Sequence, residues 1–170
     1  FLSRYRKANG PSSRDILLGN LDRLGILGTK TYPVSNWLMS SPPIKALLHN
    51  IGLDSRRSLP KYASQTFNEW MRSNKNNQSE KVNSPKGIVA IFNDTFTNYH
   101  NPEIGHAATK LLERIGYEVI LPDWSCCGRI NLSVGDDKSA KIKAKQNVDV
   151  AIEALKTADF IVGLEPSCIL

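Results

Sequence analysis

The stretch GIVAIF, residues 87–92, decides the fold that we predict for this chain. It is a short, wholly apolar run rich in branched side chains, which is typical of a strand buried on both faces of a parallel sheet. Two similar runs follow at residues 117–121 and 159–164, and a helical pattern separates each run from the next. The order β-α-β-α-β predicts an α/β domain with a small parallel sheet, a Rossmann-like half with right-handed crossovers.

The two segments between these runs have the pattern of amphipathic helices. One covers residues 102–115, and the other covers about residues 137–156, with Asp136 or Asp137 as its N-cap. We expect two stripes to face the sheet, one of Ile104, Ala108, Leu111, Leu112 and Ile115, the other of Ala140, Ala144, Val148, Ala151 and Leu155.

A polar stretch divides the chain. Residues 74–86 are rich in Asn, Ser and Lys, which is typical of a flexible linker. The part before it contains short helical patterns, one capped by Ser12 or Ser13 and ended by Gly28, another starting near Pro60. We therefore predict three parts: a helical, basic connecting or docking arm at 1–73, the linker at 74–86, and a cysteine-rich α/β domain at 87–170.

Charge is distributed unevenly along the chain. Residues 1–81 carry 13 Lys or Arg and 5 Asp or Glu, a net +8, whereas residues 82–170 carry 9 and 11, a net −2. A basic segment can bind nucleic acid or an anionic membrane. The positive residues are scattered, however, and form no recognised nucleic-acid motif. We therefore predict a solvated or domain-docking surface and no nucleic-acid partner.

Several features bear on the compartment of the protein. No apolar run reaches the roughly 18 residues of a transmembrane helix, and no secretory signal opens the chain. Three cysteines without such a signal fit a reducing compartment. We expect a cytoplasmic protein, peripheral at the inner membrane face at most. Because the chain starts at Phe1 and stops just after a candidate site, we also expect it to be a piece of a longer polypeptide.

All three cysteines follow predicted strands. Cys126 and Cys127 stand in a Cys-Cys-Gly turn after the second strand, and Cys168 follows the third strand, three residues after Glu165. The carboxyl ends of parallel strands share one edge of a sheet, where open α/β sheets bind their ligands. We therefore expect the three thiols to converge there, together with Asp94, which follows the first strand.

The spacing of these residues resembles the cysteine-rich CCG domain. In that domain a cysteine, a Cys-Cys-Gly turn and a Cys-x-x-Cys motif follow one another at characteristic intervals. The corresponding series in this chain is Thr95, thirty residues, Cys126-Cys127-Gly128, thirty-six residues and Glu165-x-x-Cys168. The domain occurs in heterodisulfide reductase subunits, the glycolate oxidase iron–sulfur subunit, anaerobic glycerol-3-phosphate dehydrogenase and lactate-utilisation proteins.

The flanking sequence resembles one branch of this family. Residues 92–99 and 163–168 are similar to the C-terminal part of fused, FAD-linked oxidases of the glycolate or D-lactate type. Residues 59–70 resemble the segment that joins the 4Fe–4S ferredoxin-like domain of these oxidases to their cysteine-rich domain. The resemblance implies an electron-transfer or cluster-binding domain, with FAD and a ferredoxin-like cluster in missing parts of the parent. It also implies an acceptor protein or the quinone pool as the electron acceptor.

Two positions depart from the family motif and leave the ligands open. Thr95 and Glu165 stand where the fuller motif has cysteines, so three of five cysteines remain. The three thiolates could hold an iron–sulfur cluster with one non-cysteine position, or, with Glu165 or Asp94, a tetrahedral zinc site. The turn after the first predicted strand begins with Asn93 and Asp94. A dinucleotide-binding loop needs glycines at this turn so that the phosphates can approach the backbone, and the sequence therefore disfavours a dinucleotide site.

Simpler interpretations compete with the metal centre. The cysteine pair can be small apolar residues in a tight turn, Glu165 can cap a following helix, and Asp94 can close a strand–loop turn. The domain as a whole can be a docking module, metal-free or zinc-stabilised, that organises an oxidase complex. A further alternative is a thiol–disulfide site formed by Cys168 with Cys126 or Cys127. The sequence contains no pattern typical of a hydrolase or a nucleotide-binding loop.

Overall fold

The computed structural model describes residues 1–54, 56, 58–77 and 85–169, with the backbone alone for residues 75–77. In chain order the described elements are α1 (Leu2–Asn9), α2 (Ser13–Gly19), α3 (Leu21–Lys30), α4 (Val34–Ser40), α5 (Pro42–Asn50), α6 (Phe67–Asn77), β1 (Ile88–Phe92), α7 (Thr95–Tyr99), α8 (Pro102–Arg114), β2 (Glu118–Ile120), α9 (Arg129–Ser133), α10 (Asp137–Ala154), β3 (Phe160–Gly163) and α11 (Pro166–Ile169).

The three strands form one parallel sheet in the order β2-β1-β3. In the register, Val89 of β1 pairs with Val119 on one side and with Phe160 on the other. The predicted α/β class with a small parallel sheet and helices before it is therefore confirmed. The apolar stretch that suggested a strand buried on both faces is the central strand of the sheet.

The core lies on both faces of β1. On one face, Ile91 packs with Phe67 and Met71 of α6 and with Val119 of β2. On the other face, Ala90 packs with Ala154 at the end of α10 and with Ala158. Because side chains alternate between the faces of a strand, neighbouring residues of β1 belong to these two separate clusters.

The two predicted inward stripes are largely wrong. Helix α8 buries Gly105 and Thr109, and a side-chain carbon added at Gly105 would lie 2.6 Å from the Phe67 ring. Helix α10 buries Ala140 and Ala154. In both helices close packing selects the small residues, so larger residues of the predicted stripes are exposed: Ile104, Leu111, Ile115, Val148 and Leu155.

The N-terminal helices depart from the sequence pattern at two glycines. Of the two serines predicted as the N-cap, Ser12 is the one that caps α2, and Asp15 completes a capping box with it. The predicted end at Gly28 is wrong, because α3 continues to Lys30. Gly28 and Gly25 lie in the interior of α3, where the absence of a side chain admits two tyrosine rings.

The helix expected to start near Pro60 starts later. Helix α6 begins at Phe67, and Thr66 caps it with Glu69 in a reciprocal pair of hydrogen bonds. Helix α6 continues to Asn77, and residues 78–84, which hold much of the expected linker, lie outside the described residues. The division into parts at 1–73, 74–86 and 87–170 stays a prediction.

The N-terminal helices contact the α/β domain through polar bonds. The Asp22 carboxylate of α3 pairs with the Lys143 ammonium of α10 at 2.8 Å, and Arg6 of α1 lies 3.5 Å from Asp136. Asn131 of α9 donates to the backbone carbonyl of Gly19 at 3.1 Å. Charged residues of the N-terminal helices therefore form ion pairs with the part of the chain that follows β2.

The described helices also bear on the expected absence of a membrane span. Among the helices of the described residues, none is both long enough and apolar enough to cross a membrane.

His106 of α8 makes stability depend on pH. Its ring lies 4.1 Å from the Trp70 ring, centroid to centroid, and its Nε2 is buried with no hydrogen-bond partner among the described residues. Burial, and secondarily the charge of Lys110, lowers the pKa of His106 below its ordinary value, against an opposing effect of Glu103. The unfolded chain therefore binds a proton more readily than the folded one.

We expect the free energy of unfolding to fall as the pH drops below about 6.5, the unfolded histidine pKa, and to keep falling until the folded pKa is passed. The measurement is urea unfolding between pH 7.5 and 5, compared with His106→Phe, which keeps an aromatic ring against Trp70. The variant should lose less stability over this range. An identical loss in both proteins would show that His106 is not responsible.

Candidate functional site

The thiols lie at the carboxyl edge of the sheet. Cys126 and Cys127 follow β2, and Cys168 lies in α11 directly after β3. The Sγ atoms of Cys127 and Cys168 are 3.3 Å apart, although 41 positions separate them in the sequence. The structure thus brings together two cysteines that the topology predicted to meet, and Cys126 directly precedes one of them, Cys127, in the chain.

The Cys-Cys-Gly turn is shaped by Gly128. This residue has φ of 82°, in the left-handed region, and it is the N-cap of α9. A side-chain carbon added there would also lie 3.1 Å from the carbonyl oxygen of Ala140 in α10. Glycine is therefore required both by the conformation of the backbone and by the close approach of α10.

Asn147 of α10 holds the loop before the turn. Its Oδ1 accepts a hydrogen bond from the Ser125 amide at 2.9 Å, and its Nδ2 donates to the carbonyls of Ser125 and Cys126 at 3.2 and 3.3 Å. One side-chain amide therefore satisfies three backbone groups of an irregular segment. No pattern in the sequence indicated this role, because Asn147 is one polar residue among many on α10.

Replacing Asn147 with leucine should loosen the loop. The change leaves three half-buried backbone groups without their partner, so we expect a loss of about 1–3 kcal/mol in the free energy of unfolding. We also expect faster alkylation of Cys126 and Cys127 in the folded protein. The control is Gln146→Leu, which changes the exposed neighbouring residue on the same helix. Equal effects of the two variants on stability and alkylation would contradict the assigned role.

The thiols differ in their proton affinity. The hydrogen bond from Cys126 lowers the pKa of Cys127, and the backbone amide of Arg129 acts in the same direction. The same bond raises the pKa of Cys126, and burial of the Cys126 thiol raises it further. Burial, together with the charge of Asp94, raises the pKa of Cys168. Cys127 is therefore the thiol that ionises most readily.

Asp94 serves as a helix cap in this structure. It is almost fully buried, and its Oδ1 accepts hydrogen bonds from the amides of Phe96 and Thr97 at 2.8 and 3.0 Å. Its Oδ2 accepts a third from the Thr97 hydroxyl at 2.6 Å. The carboxylate is thus occupied at the start of α7. Thr95, at the first cysteine position of the motif, has a side chain that acts to lower the pKa of the Cys126 thiol.

Glu165 has a similar arrangement at the start of α11. Its Oε1 accepts a hydrogen bond from the Ser167 amide at 3.2 Å, and its backbone carbonyl accepts one from the Cys168 amide at 2.9 Å. Both candidate carboxylates therefore bond to the first turn of a short helix. The simpler interpretation of the sequence proposed this for Glu165, whereas Asp94, expected to close a strand–loop turn, caps α7.

Residues from outside the motif reach the site. The charge of Lys143 acts on the Cys126 thiol, and the same ammonium is paired with Asp22 of the arm. Tyr99 has a raised pKa, mainly because of burial and partly because of the charges of Asp22 and Cys126. Lys143 was visible in the sequence only as one of several lysines on α10, and nothing indicated that the arm would pair with it.

The histidines and the tryptophan near the predicted rim have other partners. The His100 Nδ1 is hydrogen-bonded to the carbonyl of Lys61 at 2.9 Å, and His106 lies against Trp70. Trp124, next to the cysteine turn, donates from its indole nitrogen to the carbonyl of Ile91 at 2.7 Å. This bond fixes the loop after β2 to the central strand.

The three thiols fit a metal centre by their chemistry, since thiolates are the preferred ligands of iron–sulfur clusters and common ligands of zinc. The present arrangement is tighter than ligation requires. Two sulfurs on one tetrahedral zinc lie about 3.8 Å apart, so Cys127 and Cys168 would have to separate by about 0.5 Å. In the part of the chain that the structure describes, no group of three or more His, Cys, Asp or Glu is arranged to hold a metal ion.

Curated proteins similar to this chain include a component of a dehydrogenase. The C subunit of anaerobic glycerol-3-phosphate dehydrogenase from Escherichia coli (strain K12) is 34% identical over 147 residues, which are 85% of this chain and 36% of that protein. Lactate utilization protein A of Exiguobacterium sp. is 32% identical over 83 residues, 48% of this chain and 33% of that protein. The protein of the same name from Bacillus pumilus is 35% identical over 81 residues, 47% of this chain and 32% of that protein. The chain thus spans about a third of the length of these relatives.

No solved structure matches the chain. The family comparison gives a match to the CCG family, described as a cysteine-rich domain, over residues 89–170. This range starts within β1 and contains the rest of the sheet and all three cysteines. Residues 89–170, which carry most of the sheet and all three cysteines, therefore match the CCG cysteine-rich domain.

Proposed function

We propose that this chain supplies an iron–sulfur-binding, cysteine-rich domain to an oxidoreductase. The observation that carries the proposal is the approach of Cys127 and Cys168 to 3.3 Å at the carboxyl edge of a parallel sheet, with Cys126 directly before Cys127 in the chain. Open α/β sheets bind ligands at this edge. The similarity to a component of a dehydrogenase over 85% of the chain supports the same conclusion.

Cys126, Cys127 and Cys168 would hold the centre. A bound cluster would supply one-electron chemistry, which side chains alone lack. Asn147 fixes the loop that carries two of the ligands, and Lys143 places a positive charge where three thiolates would gather negative charge. Both are positioning residues in this proposal, since neither is a ligand.

The fourth ligand position differs from the full family motif. Thr95 and Glu165 replace cysteines, and the Thr95 side chain already acts on the Cys126 thiol, lowering its pKa. We propose a centre with three cysteine ligands and one position open to a non-cysteine group. Zinc is the alternative metal, with Glu165 or Asp94 as its fourth ligand once the carboxylate is released from its helix cap.

At the level of the whole enzyme, we propose an FAD-linked oxidase or dehydrogenase. Its flavin and ferredoxin-like domains would lie in other parts of the parent chain or in partner subunits, with an acceptor protein or the quinone pool taking the electrons. The substrate would carry a hydroxyl group on the carbon that is oxidised, as glycolate and D-lactate do. Peripheral association with the inner membrane face would bring the domain to a quinone.

A docking module is the second candidate, and one observation favours it. Asp94 and Glu165 both serve as helix caps, and Thr95 and Glu165 occupy two motif positions without a thiol. In that case the domain, metal-free or with structural zinc, would organise the complex through residues 1–73 without transferring electrons. Metal content separates the two candidates.

The experiment is anaerobic reconstitution of the chain with iron and sulfide, followed by assay of iron, sulfide and zinc. The proposal predicts stoichiometric iron and sulfide in the wild type and their loss in Cys126→Ser and in Cys168→Ser. Ser133→Ala, which changes an exposed residue of α9, is the matched control and should retain both. Zinc without sulfide would support a structural site. A folded wild type that binds neither would favour the metal-free docking module.

A further inference from the structure

The contact between Cys127 and Cys168 is close to a covalent distance. A disulfide bond is about 2.05 Å long, so each sulfur would have to move only about 0.6 Å from the present 3.3 Å separation. Cys127 lies in an irregular loop and Cys168 in a four-residue helix, so neither side chain is held in a long element. Both residues are half-buried, which leaves them accessible to a small oxidant.

We infer that Cys127 and Cys168 form a reversible disulfide within the chain. Cys126 is not the partner of either residue. A bond between the adjacent Cys126 and Cys127 would close a small ring that distorts their planar peptide bond. Among the described residues, the pair of thiols at hydrogen-bonding distance is Cys127 and Cys168. Cys126 therefore stays a free thiol in the oxidised chain.

The oxidant is a disulfide of low molecular weight. One of the two cysteines attacks it as a thiolate, which forms a mixed disulfide and releases one small thiol. The second cysteine then attacks the protein sulfur of the mixed disulfide and releases the second small thiol. The two protein thiols lose two electrons and two protons in total, and the small disulfide gains them to become two thiols.

The bond would control the metal centre if the proposed function holds, and this consequence alone rests on that proposal. A disulfide between Cys127 and Cys168 uses two of the three thiolates that would hold the centre. The oxidised chain could then bind no cluster or zinc at this site until it is reduced. The thiol pair would therefore make occupancy of the centre depend on the redox state of the compartment.

The test uses the metal-free chain, so that it does not depend on metal binding. The chain is equilibrated anaerobically with mixtures of oxidised and reduced glutathione, alkylated, and examined by mass spectrometry. We expect two of the three thiols to become protected, a mass lower by two hydrogens, and one cross-linked peptide pair that contains Cys127 and Cys168. Dithiothreitol should restore all three thiols.

The variants identify the pair. Cys126→Ser should form the same bond, whereas Cys127→Ser and Cys168→Ser should form no internal bond and carry only mixed disulfides with glutathione. Circular dichroism of each variant checks that it is folded. A bond that involves Cys126, a dimer linked between chains, or only mixed disulfides in the folded wild type would overturn the inference. If the bond forms but the reduced chain binds no metal, the proposed function fails while this inference stands.

Discussion

The double replacement Thr95→Cys and Glu165→Cys should strengthen metal binding more than any other change in this chain. It restores the five cysteines of the family motif. Thr95 acts on the Cys126 thiol, lowering its pKa, and Glu165 precedes Cys168 by one helical turn, so we expect both new thiols to lie near the existing ones. Binding of a four-ligand zinc site is worth about 10–16 kcal/mol, or about 3 kcal/mol for each ligand, so each added thiolate should tighten binding roughly a hundredfold.

The measurement is the retention of iron, sulfide and zinc by the reconstituted protein during titration with a chelator. The matched control is Ser73→Cys with Ser133→Cys, which adds two thiols at exposed positions away from the motif. The double variant should retain metal at chelator concentrations that strip the wild type. Retention no better than that of the control would show that positions 95 and 165 are not ligand positions.

Alanine at Gly25 and Gly28 should loosen the packing of α3 against the Tyr99 ring of α7 and the Tyr62 ring. A side-chain carbon at Gly25 would lie 2.5 Å from the Tyr99 ring, and one at Gly28 would lie 2.4 Å from the Tyr62 ring. Both rings are half-buried and have little room to move. Overpacking of this kind costs about 1–3 kcal/mol per site, more than the gain of about 1 kcal/mol from the better helix propensity of alanine.

Chemical denaturation and limited proteolysis measure this effect. The double variant should lose about 2 kcal/mol, and at most about 4 kcal/mol, in the free energy of unfolding, and it should be cleaved within residues 1–30 while the α/β domain persists. Gly19→Ala is the control, because a side-chain carbon there meets its nearest neighbour at an ordinary 3.6 Å. An arm that remains protected in the double variant would contradict the docking through α3.

The sheet could be predicted because its signal is local. A strand buried on both faces must be apolar throughout, and GIVAIF shows this within six residues. The convergence of Cys127 and Cys168 followed from topology, since parallel strands place their carboxyl ends together. Neither step required knowledge of which side chains pack against which.

The remaining features depend on contacts between distant parts of the chain. Gly28 has the local pattern of a helix end, but the Tyr62 ring makes it an interior packing position. The inward faces of α8 and α10 are set by close approach, which selected Gly105 and Ala140 over the larger residues of the apolar pattern. The role of Asn147 depends on a loop that lies 21 or 22 residues before it. A single sequence contains no local signal for any of these contacts.

Whether the three cysteines hold an electron-transferring centre is decided by a reductive titration of the reconstituted chain, followed by electron paramagnetic resonance. We expect a paramagnetic signal that appears and disappears reversibly within the range of about −700 to +450 mV found for iron–sulfur centres. The signal should be absent from Cys168→Ser prepared in the same way. A folded wild type that binds iron and sulfide but gives no redox-dependent signal or absorbance change in this range, or that binds neither, would contradict an electron-transferring centre at Cys126, Cys127 and Cys168.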